Sequence, residues 1–143
     1  MTALEPFGRG LRVERGDLVF DRGDLVETAG LANLVQALTL RILTPLGSDR
    51  FNTTYGLDVR QAFTTPSSVR VVKELLKLNL VSTLTADPRV SEVVRVTFDD
   101  EEDRLAGNPD GARAARIGRR WTVVVEVGTV AGAPVTLRAN VEV

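Results

Sequence analysis

Apolar residues recur along this chain with three successive rhythms, and each rhythm predicts a different element. Near the start, Leu18-Val19-Phe20 and Leu25-Val26 flank the polar stretch Asp21-Arg22-Gly23-Asp24. That spacing predicts a β-hairpin, with Gly23 free to adopt the positive φ of a tight turn. From Leu31 the spacing becomes helical. Leu31, Leu34, Val35, Leu38 and Ile42, with Leu40 and Leu43 widening the apolar arc, predict a mostly buried helix. Pro45 keeps Thr44 out of helical geometry and ends it, and Gly47 follows in a polar turn.

The stretch GSDRFNTTYGLDVRQAF has no period, and Phe51, Tyr55, Leu57 and Phe63 predict an ordered connector packed by its aromatics. Thr65-Pro66 supplies an N-cap and a first-turn proline for a second helix. Val69, Val72, Leu76, Leu80 and Leu84 carry that helix to Ala86, and Leu75 and Leu78 broaden its apolar face. Lys73 and Lys77 then mark the solvated side. Beyond Asp87-Pro88-Arg89 the period drops to two, with Val94, Val96 and Phe98 against Arg95 and Thr97. Two further strands follow, RRWTVVVEV and APVTLRANVEV, joined by GTVAGA. Trp121 is expected in the core of that sheet. The stretch from Asp99 to Gly118, acidic at its start and basic at its end, is too long for a tight hairpin and predicts a solvated loop. The pattern shows no internal repeat and no dividing linker. An α+β fold results: an N-terminal β-hairpin, two main helices and a small antiparallel sheet of C-terminal strands, in a single domain over residues 1–143.

Composition narrows the chemistry more than it identifies it. The 143 residues include no Cys and no His, which removes thiol nucleophiles, disulfides, the common zinc sites and imidazole catalysis. No metal or cofactor is predicted. The net charge is −1, so broad attraction to nucleic acid or to an anionic membrane is not indicated, and neither is a predicted partner. Charges interrupt every apolar run near the N-terminus, and no later run is long enough to span a bilayer, which predicts a soluble protein without a signal peptide.

Paired carboxylates are the remaining route to acid–base catalysis, and Asp49, Asp58, Glu74, Asp87 and Glu92 are the candidates. Nothing in the sequence aligns two of them across a cleft, and no catalytic residue is assigned. The two Arg-Gly-Asp tripeptides, at residues 15–17 and 22–24, read as turn composition. Arg119 and Arg120 beside Trp121 give a weak signal for stacking on a base.

The order of several residues carries a resemblance. Gly30 before a helix, Gln36 within it, Thr44-Pro45 and Gly47 in the turn, and Tyr55-Gly56 beyond it resemble the baseplate wedge proteins that initiate the sheath of contractile tails. That family places Glu-Pro-Arg after its second helix, and Asp87-Pro88-Arg89 stands there, with Asp replacing Glu. The motifs span Leu18 to Phe98, and the final strands match by order alone. Such proteins occur in contractile phages, type VI secretion systems and extracellular injection systems.

The resemblance implies a non-enzymatic structural component, assembled in the cytoplasm and then part of the particle's baseplate. Asp87, Pro88 and Arg89 are implied to contact the large wedge proteins. The last strand, comprising Val135, Thr136, Leu137, Arg138, Ala139, Asn140, Val141, Glu142 and Val143, is implied to pair with sheath subunits. Tube or hub proteins are further implied neighbours, and sixfold symmetry implies six copies. On this view Arg89→Glu folds normally and fails to assemble. The rival readings are a tail-associated glycan hydrolase built on a carboxylate pair and a nucleic-acid module using Arg119 and Arg120.

Overall fold

A computed structural model describes residues 6–60, 69–99 and 120–142. Its elements run β1 (Arg9–Leu11), β2 (Val13–Glu14), β3 (Asp17–Leu18), β4 (Phe20–Asp21), β5 (Asp24–Leu25), β6 (Glu27–Ala29), α1 (Gly30–Leu43), α2 (Val69–Thr85), β7 (Val90–Phe98), β8 (Arg120–Thr129) and β9 (Val135–Glu142). This is the expected α+β architecture. The expected start of the second helix at Thr65-Pro66, the connector's Phe63, the loop beyond Asp99, Arg119 and Val143 lie outside the described residues.

The N-terminal region is more elaborate than one hairpin. β1 pairs with β6 as a stem, while β2–β3 and β4–β5 form two short arms. At the junction three backbone hydrogen bonds close a ring: Arg12 N–H donates to Val26 O at 2.8 Å, Val26 N–H to Val19 O at 3.0 Å, and Val19 N–H to Arg12 O at 3.1 Å. These positions are seven residues apart, and VERGDLV followed by FDRGDLV is a repeat that the apolar pattern did not reveal. Each arm turns through Arg-Gly with both residues left-handed, at φ 53° and 82° for Arg15-Gly16 and φ 51° and 83° for Arg22-Gly23. Positive φ at both central residues is what a two-residue hairpin with the native strand twist requires. The following Asp accepts from its neighbour in both arms, Leu18 N–H to Asp17 and Leu25 N–H to Asp24. The two RGD tripeptides are therefore at the turns of a clover with one stem and two arms.

The C-terminal sheet has the order β7-β8-β9, antiparallel throughout. Its inner face carries Trp121, Val123, Val125 and Val127 from β8 and Val135, Leu137, Ala139 and Val141 from β9. Both helices cover that face, α1 chiefly over β9 and α2 over β7. They contribute Leu34, Leu38 and Ile42 from α1 and Val72, Leu76, Leu80 and Leu84 from α2. Trp121 is buried as expected and meets Phe98 edge-on, with ring centroids 6.1 Å apart. The outer face is polar, with Thr122 bonded to Asn140 and Arg95 facing Glu126 across the strands.

Five expectations about burial are corrected. Val94 is 58% exposed, because a register shift between Val93 and Arg95 inserts a residue and reverses the alternation, so Val93 packs on the core instead. Lys73 is buried, its ammonium 5.3 Å from the centroid of the Phe98 ring, with Lys77 at 5.8 Å. Their aliphatic stems cover apolar surface while the charges face an aromatic ring, so they do not mark a solvated side. Leu78 is largely exposed, and in the connector Phe51 is fully exposed while Leu57 is buried. Finally, α1 is not mostly buried: Leu31 and Leu43 face outward.

Candidate functional site

The Asp87-Pro88-Arg89 tripeptide forms a rigid corner between α2 and β7. The helix ends as Asp87 N–H donates to Leu84 O at 3.2 Å, and Val90 N–H returns to Asp87 O at 3.1 Å. The Asp87 carboxylate accepts the Arg89 backbone N–H at 3.0 Å, an Asx turn across the exposed Pro88. The Arg89 side chain then folds back onto the same carboxylate, Nε to Oδ1 at 2.9 Å and Nη2 to Oδ2 at 2.7 Å. This is a bidentate fork.

Arg89 Nη1 donates to the Phe7 carbonyl at 3.1 Å, and that carbonyl also accepts Asn33 Nδ2 at 2.8 Å. One carbonyl beside the clover stem thus ties α1 to the corner. Arg89 O in turn accepts Val130 N–H at 3.1 Å, fixing the corner to the end of β8. The bonds to Arg89 hold the Asp87 carboxyl below its ordinary range, and the same bonds hold the Arg89 guanidinium further up. Both are charged at neutral pH. The fork anticipated for a partner is therefore turned inward, with the Arg89 side chain about a quarter exposed.

Of the remaining motif residues, Thr44, Tyr55 and Gly56 lie near this corner, and Gln36 lies apart from it. Arg41, in the last turn of α1, lies 4.6 Å over the Tyr55 ring and reaches Thr83 O at 3.4 Å. Burial raises the Tyr55 pKa, Arg41 opposes that, and Asp87 and Arg89 are both near enough to act on it. Tyr55 is delivered there by Gly56, at φ 115°, where an added Cβ would lie 2.4 Å from Thr44 O. The close crossing lets Leu57 N–H donate to Thr44 O at 2.8 Å and Leu46 N–H to Leu57 O at 3.0 Å. Thr83 Oγ1 seals it from α2, donating to Gly56 O at 2.7 Å. On the opposite flank of α1, Gln36 acts as a substitute strand: its Oε1 accepts Val13 N–H at 2.9 Å and its Nε2 donates to Leu11 O at 2.7 Å.

The second candidate surface is the free edge of β9. Its register with β8 is unbroken from Val127↔Val135 to Arg120↔Glu142, with Val135, Leu137, Ala139 and Val141 facing the core and Thr136, Arg138 and Asn140 facing outward. Among the described residues no strand occupies its other side. The opposite edge, β7, is broken by two register shifts.

Four of the five carboxylates named as catalytic candidates do other work. Asp49 and Asp58 accept the backbone N–H groups of Phe51 and Arg60, Glu74 lies 3.6 Å from Lys77, and Asp87 is held by Arg89. A polar hollow of about 400 Å³ beside Gly56 is lined by a single carboxylate, that of Asp58. No cluster of potential metal ligands occurs among the described residues, and none of their helices is long and apolar enough to cross a membrane.

A family comparison bears out the resemblance: residues 8–107 match the model for the contractile injection system sheath initiator. The chain belongs to that sheath initiator family. Neither the curated proteins nor the solved structures contain a match to it. The family is structural, and its described role is to start the sheath of a contractile injection system. The matched span contains the clover, both helices and β7, and stops before β8 and β9.

Sequence reasoning found the tripeptide and missed its internal partners. Neither the Phe7 carbonyl nor Asn33 carries a signal in the sequence, because the contact joins residues 82 positions apart. Arg41 offered a faint signal, as a cation in the last turn of an apolar helix.

Proposed function

We propose that this sheath initiator links the baseplate wedge to the first ring of sheath subunits, using the Asp87-Pro88-Arg89 corner for the wedge and the β9 edge for the sheath. The observation that carries the reading is the unbroken edge of β9, unpaired among the described residues and braced from behind by α1. A regular edge offers a row of N–H and C=O groups to an incoming strand, whereas shifts of register blunt an edge, so β9 is favoured over β7. The proposed sheath contact comprises residues 135–143.

The corner acts as a preformed unit. Three of the five guanidinium N–H groups of Arg89 have acceptors among the described residues, and the other two are offered to a wedge carboxylate or carbonyl beside the exposed Pro88. This alters the expected behaviour of Arg89→Glu. The new carboxylate would stand beside Asp87, so the variant loses stability as well as contact, and Pro88→Ala is the better probe of the surface. The chain acts as one domain over 1–143, without catalysis, in six copies per baseplate, with tube or hub proteins nearby. Assembly takes place in the cytoplasm, and the protein then remains in the particle.

The test is complementation. Cells lacking the gene are expected to yield tubes and baseplates without sheath, and the wild-type gene to restore it. Intact sheathed particles from the deletion strain would sink the proposal. A muramidase assay of the purified chain addresses the hydrolase rival directly, and the carboxylate geometry predicts no turnover.

A further inference from the structure

The apolar pattern of α1 exceeds what the fold buries. Leu34, Leu38 and Ile42 face the core, but Leu31, Val35, Thr39 and Leu43, each four residues apart, form a second stripe. Leu31 is 38% exposed and Leu43 is 51% exposed. The stripe floors an apolar groove of about 670 Å³, whose far wall is the first clover arm. Thr39 turns its hydroxyl to Val35 O at 2.7 Å, which spends its polar group within the helix. The single ionisable residue in the lining is Arg15, at the tip of that arm.

The position of the stripe points to its occupant. α2 lies on the flank of α1 that carries Arg41, which reaches Thr83 O, and the stripe runs along the opposite flank. Of the three sheet strands, α1 packs chiefly on β9, the edge. A strand added beyond β9 would therefore pass beneath the overhanging stripe. Side chains alternate across a strand, so every second residue of the newcomer would continue the layer of Val135, Leu137, Ala139 and Val141 and need an apolar cover. The stripe supplies that cover.

We infer that the groove along α1 is the second half of the sheath-strand site: it takes the core-facing side chains of an extended partner segment that pairs with β9. The segment alternates apolar and polar residues and carries a carboxylate opposite Arg15. The inference rests on the β9 edge reading, and the experiment separates the two.

The probe is the purified sheath subunit of the same particle, with binding measured by biolayer interferometry. One set of variants carries single prolines through residues 136–141. Alternate positions have N–H groups directed away from β8, and the variants that keep the wild-type melting midpoint report on the edge alone. A second set comprises Leu31→Glu, Leu43→Glu and Arg15→Glu. Leu43→Glu, at the exposed helix end, serves if Leu31→Glu melts early. Loss of about tenfold or more in affinity from both sets is the expected result, the size typical of a central apolar contact. Loss from the edge set with the helix set within about twofold of wild type overturns the inference and leaves the edge reading standing. Unchanged binding in the edge set, whatever the helix set does, overturns both.

Discussion

Three guanidinium N–H groups of Arg89 donate inside the chain, and its partner Asp87 is buried, so this ion pair contributes to the fold before it meets any partner. Removing the charge by Asp87→Asn leaves the guanidinium short of its acceptor and is expected to cost about 2–3 kcal/mol, read by urea denaturation at pH 7. The pH dependence follows from the lowered folded-state pKa of Asp87. A carboxyl whose folded value lies below its unfolded value stabilises the fold above the unfolded pKa, and that stability is lost as pH falls through the folded value. The gap between wild type and Asp87→Asn should therefore close progressively below about pH 4. A gap constant down to pH 2 would mean that the ionised form of Asp87 is not what stabilises the fold. Arg15 and Arg22 make the opposite case, since both hold positive φ at an exposed turn position without a glycine's freedom. Asn tolerates that region better, and Arg22→Asn should raise stability by about 0.5–1 kcal/mol, seen as a higher melting midpoint.

The elements are held by a few cross-links that their sequences barely announce. Gln36 satisfies two backbone groups of the clover from a half-buried helix position, and without it the first arm loses its fastening to α1. Gln36→Leu is expected to cost about 1–3 kcal/mol and to speed amide exchange across residues 11–26 while leaving the sheet protected. Uniform exchange across the molecule would show that the clover is not a separate unit. Gly56 is stricter. An added methyl meets Thr44 O, and the backbone is left-handed as well, so Gly56→Ala should lose about 2–4 kcal/mol in the same denaturation assay.

Legibility in the sequence followed the range of the interaction. Periodicity revealed both helices, the three sheet strands and the core position of Trp121, because each depends on neighbours within a few residues. It failed at Val94, where one inserted residue reversed the parity of a strand, and at Lys73, whose charge hid a stem that packs inside. The clover was read as one hairpin because each arm contributes only two paired residues a side. Of the proposed surfaces, the tripeptide was visible as a motif. Its inward-facing fork was not, since the deciding acceptor lies at Phe7.

At the scale of the whole molecule, the two proposed surfaces are held rigid relative to each other by the same scaffold. The corner is bonded to the end of β8 through Val130, and β8 pairs along its length with β9. A wedge contact at residues 87–89 would therefore set the orientation of the free edge, and with it the direction in which the first sheath subunits are laid down. Sixfold repetition of that geometry would turn one subunit's edge into a ring of templates.

Cryo-electron microscopy of the sheathed particle, resolved well enough at the baseplate to trace strands, tests this claim most directly. The account predicts six copies of the chain, each with a sheath strand hydrogen-bonded along residues 135–143. A β9 edge that faces solvent, or is covered by a wedge protein, would contradict it.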